Sequence, residues 1–175
     1  PLSSDFSAPS RSMIAINNRL IFRADDGIHG SELWSSDGTE TGTILLKDID
    51  PGASSSHPIN LFMVNGTVFF SAADAANGRE LWKTDGTSAG TVLVRNISPS
   101  DSSSNPADFT AVGGRLFFTA GDTSSGGELW VSDGSAAGTL RVKDISPGQA
   151  SSSPRSLEPL NGLLFFSANK QLWKS

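Results

Sequence analysis

The stretch "ELWSSDGTETGT" (32–43) returns as "ELWKTDGTSAGT" (80–91) and "ELWVSDGSAAGT" (128–139), a period of 48 residues. A period of that size marks stacked supersecondary units, so it has to be interpreted before any single motif. Aligned on Trp34, Trp82 and Trp130, each unit holds four short apolar runs. In the second unit they are "NLFMV" (60–64), "TVFFSA" (67–72), "RELWKT" (79–84) and "TVLVRNI" (91–97). The first unit offers "SMIAI", "LIFRA", "SELWSS" and "TILLKDI", and the third "DFTAV", "RLFFTA", "GELWVS" and "TLRVKDI". A fourth begins with "SLEPL" and "LLFFSA" and reaches "QLWKS". The units span roughly 11–49, 59–97, 107–145 and 155–175, within one domain over 1–175.

Runs this short, rich in Val, Ile, Leu and Phe and bounded by Gly, Asn, Asp or Ser, predict strands and not helices. Asn17-Asn18, Asn65-Gly66, Gly113-Gly114 and Asn161-Gly162 separate the first and second runs. Such pairs supply the positive φ of a two-residue hairpin. The second run is apolar on consecutive residues, as in Val68-Phe69-Phe70, which predicts a strand covered on both faces. Four antiparallel strands per unit, stacked between neighbours, make a blade. The expected fold is therefore an all-β propeller of about four blades, the last incomplete. An open stack of hairpins or a β-solenoid is the alternative. Trp34, Trp82, Trp130 and Trp173 are expected to wedge between blades. Asp37, Asp85 and Asp133 are expected to cap the turns that follow. Lys47, Arg95 and Lys143 fit a charged outer edge.

The unit resembles the bacterial ELWxxDGT (ELWxxDGTxxGT) repeat, followed as there by KDI, PG and SSSP elements. "LLKDIDPGASSSHP" (45–58) and "RVKDISPGQASSSP" (141–154) stand close to that pattern, whereas "LVRNISPSDSSSNP" (93–106) departs from it. The resemblance spans nearly the whole chain. It implies a propeller-like fold and an exported protein, extracellular or at the bacterial cell surface, and brings no catalytic residues with it. The Asp-Gly turn is also similar to the Asp-box of sialidase-type propellers, where it is structural.

Composition narrows the function. The net charge is −5, with no Lys/Arg run, which argues against nucleic acid and anionic membranes as partners. No apolar stretch approaches the roughly 20 residues that cross a bilayer, so membrane insertion is not expected. The absence of Cys excludes disulfides and Cys-ligated metal. Pro1 in place of an initiator Met suggests a processed or excised segment. Both ends of the sequence fall inside a unit. That fits a ring whose last blade has three strands, an excerpt of a larger ring, or two copies closing through unfinished edges. In the first case "PLSSDF" (1–6) would run beside the last blade.

Function is expected on the face that carries the loops between second and third strands and the links between units. Candidate ligand-binding residues there are Asp26, Asp74 and Asp122, which recur at the period, with Ser55, Ser103 and Ser151. His29 and His57 are the only histidines and fall on the same face. First-strand residues facing the axis are either Asn60, Asp108 and Ser156 or Phe62, Thr110 and Glu158. The expected role is a non-catalytic binding module for a glycan or a surface protein. A structural unit that assembles with another copy, as a homodimer, is the alternative, and an enzyme is less favoured. The Glu residues at 32, 80 and 128 recur by symmetry, whereas glycoside hydrolysis needs two differentiated acids. No cofactor is expected. Ca²⁺ is the one metal raised by the Asp-Gly segments, although the D-x-D-x-D-G spacing of a calcium loop is missing.

Overall fold

A computed structural model describes residues 12–99 and 102–175. The described residues form four antiparallel sheets and no helix. Sheet 1 contains β1 (Met13–Ile16), β2 (Arg19–Asp25), β3 (Ser31–Ser36) and β4 (Ile44–Lys47), in that spatial order. Sheet 2 repeats the order with β5 (Ile59–Val64), β6 (Thr67–Asp74), β7 (Gly78–Thr84) and β8 (Val92–Arg95). Sheet 3 has β9 (Ala107–Val112), β10 (Arg115–Asp122), β11 (Gly126–Ser132) and β12 (Leu140–Lys143). Sheet 4 has three strands, β13 (Arg155–Leu160), β14 (Leu163–Ala168) and β15 (Gln171–Lys174). The stretch 1–6 lies outside the described residues.

The hairpins form as their turn residues require. Asn65 and Gly66 have φ of 49° and 77°, Gly113 and Gly114 57° and 76°, and Asn161 and Gly162 51° and 77°. The central hairpins run further than the apolar pattern indicates, pairing out to Asp74↔Gly78 and Asp122↔Gly126. The fourth strands are shorter than expected, and each shifts register with its neighbour at the Leu-Trp step.

Each pair of consecutive sheets encloses one apolar cluster. Between sheets 1 and 2, Ile16, Ile21, Leu33 and Leu46 meet Leu61, Val68, Phe70 and Trp82. Between sheets 2 and 3, Val64, Phe69, Leu81 and Val94 meet Leu116, Phe118 and Trp130. Leu129 packs with Leu157, Leu164, Phe166 and Trp173 between sheets 3 and 4. Side chains alternate across a strand, so Leu33, Leu81 and Leu129 face the next sheet, and Trp82 and Trp130 face the previous one. The expected wedge position of Trp82, Trp130 and Trp173 holds, and Trp34 is also buried. Trp130 and Trp173 donate their indole N–H to Ala120 O and Ala168 O, both at 3.1 Å. First strands of successive sheets meet, β1 with β5, β5 with β9 and β9 with β13.

Coverage on both faces holds for β6, where Val68 to Ala72 are all buried. It fails for β14, where Leu164, Phe166 and Ala168 are buried but Leu163 is exposed. Among the described residues, sheet 4 packs through its face toward sheet 3. Leu172 is accordingly 77% exposed, whereas its counterparts Leu33, Leu81 and Leu129 are 0%, 0% and 1% exposed. The basic residues on the fourth strands do more than guard an edge. Arg95 Nη1 donates to Thr139 O at 2.7 Å, and Lys143 Nζ lies 5.2 Å from the Trp173 ring centroid.

Strand parity does not decide the first-strand alternatives because these strands bulge. Asn60, Asp108 and Ser156 have φ of 60°, 55° and 55°, beside register shifts in sheets 2, 3 and 4. Of the other set, Phe62 packs on the cluster between sheets 2 and 3, and Thr110 Oγ1 donates to Leu157 O at 3.3 Å.

Phe70 is 0% exposed in the first inter-sheet cluster. Phe70→Ala is expected to lower the unfolding free energy by about 3–5 kcal/mol in urea titration. A loss below about 1 kcal/mol would contradict the packing described, because such losses are typical of surface positions.

Candidate functional site

The hairpins β2–β3, β6–β7 and β10–β11 and the links between sheets come together on one face. Three carboxyl groups are fully buried there, Glu32, Glu80 and Glu128, each 0% exposed. Glu80 Oε2 accepts from Ile97 N at 2.9 Å and Ser104 Oγ at 2.6 Å, and Oε1 accepts from Ser98 N and Ser104 N, both at 3.2 Å. Glu32 makes the same contacts with Ile49 N, Asp50 N, Ser56 N and Ser56 Oγ. Glu128 reaches Ile145 N, Ser152 N and Ser152 Oγ. Each serine then passes the connection on. Ser56 O accepts from Ala73 N, Ser104 O from Gly121 N, and Ser152 O from Asn169 N. A carboxylate on one sheet thereby holds the link to the next sheet and, through it, that sheet's second strand. Sequence reasoning noticed the recurring Glu but missed this role. Its signal was an acid beside Leu-Trp in a buried strand, followed 24 residues later by a Ser.

The candidate ligand residues are also engaged with the protein's own backbone. Asp26 Oδ1 accepts from Ile28 N and His29 N, both at 2.9 Å. Asp74 Oδ1 accepts from Ala76 N and Asn77 N, and Asp122 Oδ1 from Ser124 N and Ser125 N. Ser55, Ser103 and Ser151 accept through Oγ from Ser31 N, Arg79 N and Gly127 N at 2.8–2.9 Å. These residues shape the loops and hold the start of each third strand.

The two histidines are separated by their partners. His29 Nδ1 lies 2.7 Å from Asp26 Oδ2, and that hydrogen bond raises the His29 pKa. The His29 amide, ahead of the ring, is the main cause that brings Asp26 down to about 2. His57 sits in the link at φ 45°, where burial and then the charges of Arg23 and Arg79 lower its pKa. Among the described residues no three His, Asp or Glu side chains gather in a metal-holding group.

On the opposite face the Asp-Gly turns form as the motif suggests. Asp37 Oδ1 accepts from Thr39 N and Thr39 Oγ1, and Asp85 and Asp133 do the same with Thr87 and Ser135. Gly38 has φ of 92°, a conformation that favours Gly. The second Gly of the motif has a steric cause: a Cβ at Gly42, Gly90 or Gly138 would overlap the Asp carboxyl. Thr43 Oγ1 closes the turn by donating to Thr39 O.

Two open grooves lie on the hairpin face, at the same place in two units. One, of about 340 Å³, is lined by Ser104, Asn105, Thr119, Gly121, Gly127 and Ser151, among others. The other, of about 330 Å³, is lined by Ser152, Ser153, Arg155, Ser167, Asn169 and Lys170. Asn169 and Lys170, with φ of 49° and 61°, form the tight turn expected for the shortened fourth hairpin, and this turn borders the second groove. No protein-family model matches the chain, and no relative is found among curated proteins.

Burial pushes Glu32 and Glu80 above the ordinary 4.5, even though every donor favours the charged form. The folded chain then holds those protons more tightly than the unfolded chain. This contribution to stability is in place at low pH and is lost as pH rises from 4.5 through the folded values. The turn aspartates act in the opposite direction. Hydrogen bonds from Thr39, Thr87 and Ser135 hold Asp37, Asp85 and Asp133 below 3.8, so their contribution is lost as pH falls through the folded values. Glu80→Ala leaves the buried Ile97 and Ser98 amides and the Ser104 hydroxyl without the carboxylate, while the Ser104 amide keeps Arg79 O at 3.0 Å. Its expected cost near pH 4.5 is about 3 kcal/mol, and the gap to the wild type should narrow toward neutral pH. Urea titrations across that range check this, and a gap that widens with pH would contradict it.

Proposed function

We propose that the chain is a non-catalytic interaction module of an exported bacterial protein. Its sheets form all or part of a β-propeller, and the hairpin face is its working surface. The meeting of first strands in order supports the propeller, as does the resemblance to the ELWxxDGT repeat. The observation that carries the binding reading is the pair of grooves at equivalent places in units three and four. They are walled by hydroxyls, amides and backbone, which suits hydrogen-bonded recognition of a glycan or a segment of a surface protein. The recurring carboxylates support the absence of catalysis, because Glu32, Glu80 and Glu128 are fully engaged by amides and hydroxyls. Amide-shift mapping against glycan and surface-protein fragments tests the proposal. Shifts should concentrate at 103–105, 119–121, 151–155 and 167–170. Mapping to the Asp-Gly-Thr turns, or no ligand at all, would overturn it.

A second reading, assembly with another copy, is favoured by the outer face of sheet 4. Leu160 is 56% exposed there, whereas its counterparts Ile16 and Val64 are 5% and 6% exposed. Sedimentation should show concentration-dependent association that Leu172→Asp abolishes. A wild-type chain that remains monomeric would remove this reading.

A further inference from the structure

The place in sheet 2 equivalent to the two grooves is occupied by a side chain, and that side chain indicates a ligand. The half-buried Arg79 side chain lies over that place. Its Nη1 donates to His57 O at 3.0 Å and Ser71 O at 3.2 Å, and its Nη2 donates to Ser56 O at 3.4 Å. Shifted by one repeat, these three acceptors become Asn105, Thr119 and Ser104, and Arg79 becomes Gly127. All four of those residues line the 340 Å³ groove of unit three. In unit four the strand pairing Ala168↔Gln171 matches Ala120↔Glu128, which puts Lys170 at the Arg79 position. Sheets 2 and 4 therefore supply a cation of their own at this position, and sheet 3 supplies glycine.

We propose that the groove of unit three binds an alkylguanidinium group, the arginine side chain of a partner polypeptide or a free arginine derivative. The surroundings favour a cation as well as the acceptors do. Thr119 Oγ1, on the groove wall, donates to Asp108 Oδ2 at 3.1 Å, which places a carboxylate beside the site. A planar guanidinium offers several donors in a fixed fork, whereas an ammonium is a strongly hydrated point charge. Carbonyls spaced to take Arg79 through two nitrogens select the former. The unit-four groove does not share the preference, because Arg155 and Lys170 line it.

This inference deepens the binding-module reading and rests on it. The test is titration of the whole chain with N-acetyl-arginine amide, with an arginine-containing peptide, and with N-acetyl-lysine amide as control, followed by amide shifts. Saturable shifts at Asn105, Gly121 and Gly127, weak or absent with the lysine compound, are expected. Tighter binding of the peptide than of the amide would identify the partner as a polypeptide, and equal binding would identify a free derivative. Gly127→Arg is expected to plug the groove and abolish the response. A Cβ there lies 3.3 Å from the flexible Ser151 hydroxyl, the neighbour that Arg79 tolerates in Ser103. Arg79→Ala should melt at a lower temperature than the wild type and recover part of the loss when the arginine compound is added. A flat titration, an equal response to lysine, or an unchanged response in Gly127→Arg would overturn the inference. If glycan or protein fragments still bound this face, the broader proposal would survive such a result.

Discussion

Glu32, Glu80 and Glu128 place a carboxylate where water does not reach, and three or four amide and hydroxyl donors converge on each. Burying an ionisable group costs several kcal/mol unless it is fully hydrogen-bonded, so these residues persist in the core only because the link to the next sheet wraps around them. The apolar clusters contribute more free energy in total, but hydrophobic contact is non-directional. Phe70 holds sheet 2 on sheet 1 and Leu81 holds it on sheet 3, without specifying how the chain passes between sheets. The carboxylate is directional. By fixing Ile97 and Ser104 to the third strand of sheet 2, Glu80 sets where β9 starts and hence how sheet 3 lies on sheet 2.

The other end of each sheet is organised by a second carboxylate with a different physical role. Asp37, Asp85 and Asp133 work near the surface, each accepting from the residue two positions on. Crowding by that carboxyl is what excludes a side chain at Gly42, Gly90 and Gly138. The repeated sequence is thus explained residue by residue: Glu ties the link, Leu and Trp face opposite neighbours, Asp-Gly-Thr folds the turn, and Gly makes room for it. With the recurring polar residues consumed in this way, the proposed binding role falls to the positions that break the repeat. Gly127 in place of Arg79 and the short Asn169-Lys170 turn are two such breaks, and both border open grooves.

Strands, hairpin turns, the Leu/Trp division of faces and the Asp caps were legible in the sequence. Each is encoded within a few residues, by period-two alternation or by turn chemistry. The grooves and the buried Glu ties were not. Glu80 and Ser104 are 24 residues apart, so the local signal, an acid beside Leu-Trp in a buried strand, does not identify the partner that satisfies it. The loop-capping role of Asp26, Asp74 and Asp122 was not legible either: recurrence on a loop suggested a ligand, and the structure adds that these carboxylates hold their own loops. The bulges at Asn60, Asp108 and Ser156 defeated the assignment of an inward-facing set, since one extra residue reverses the parity on which such an assignment depends.

Native-state hydrogen exchange of individual amides tests the central tie most directly. If the carboxylates hold the links, the amides of Ile49, Ser56, Ile97 and Ile145 should exchange as slowly as those of the central strands, although all four lie outside any strand. Exchange at the rate of open loops would show that the links are not held by Glu32, Glu80 and Glu128, and the account of how one sheet positions the next would fail.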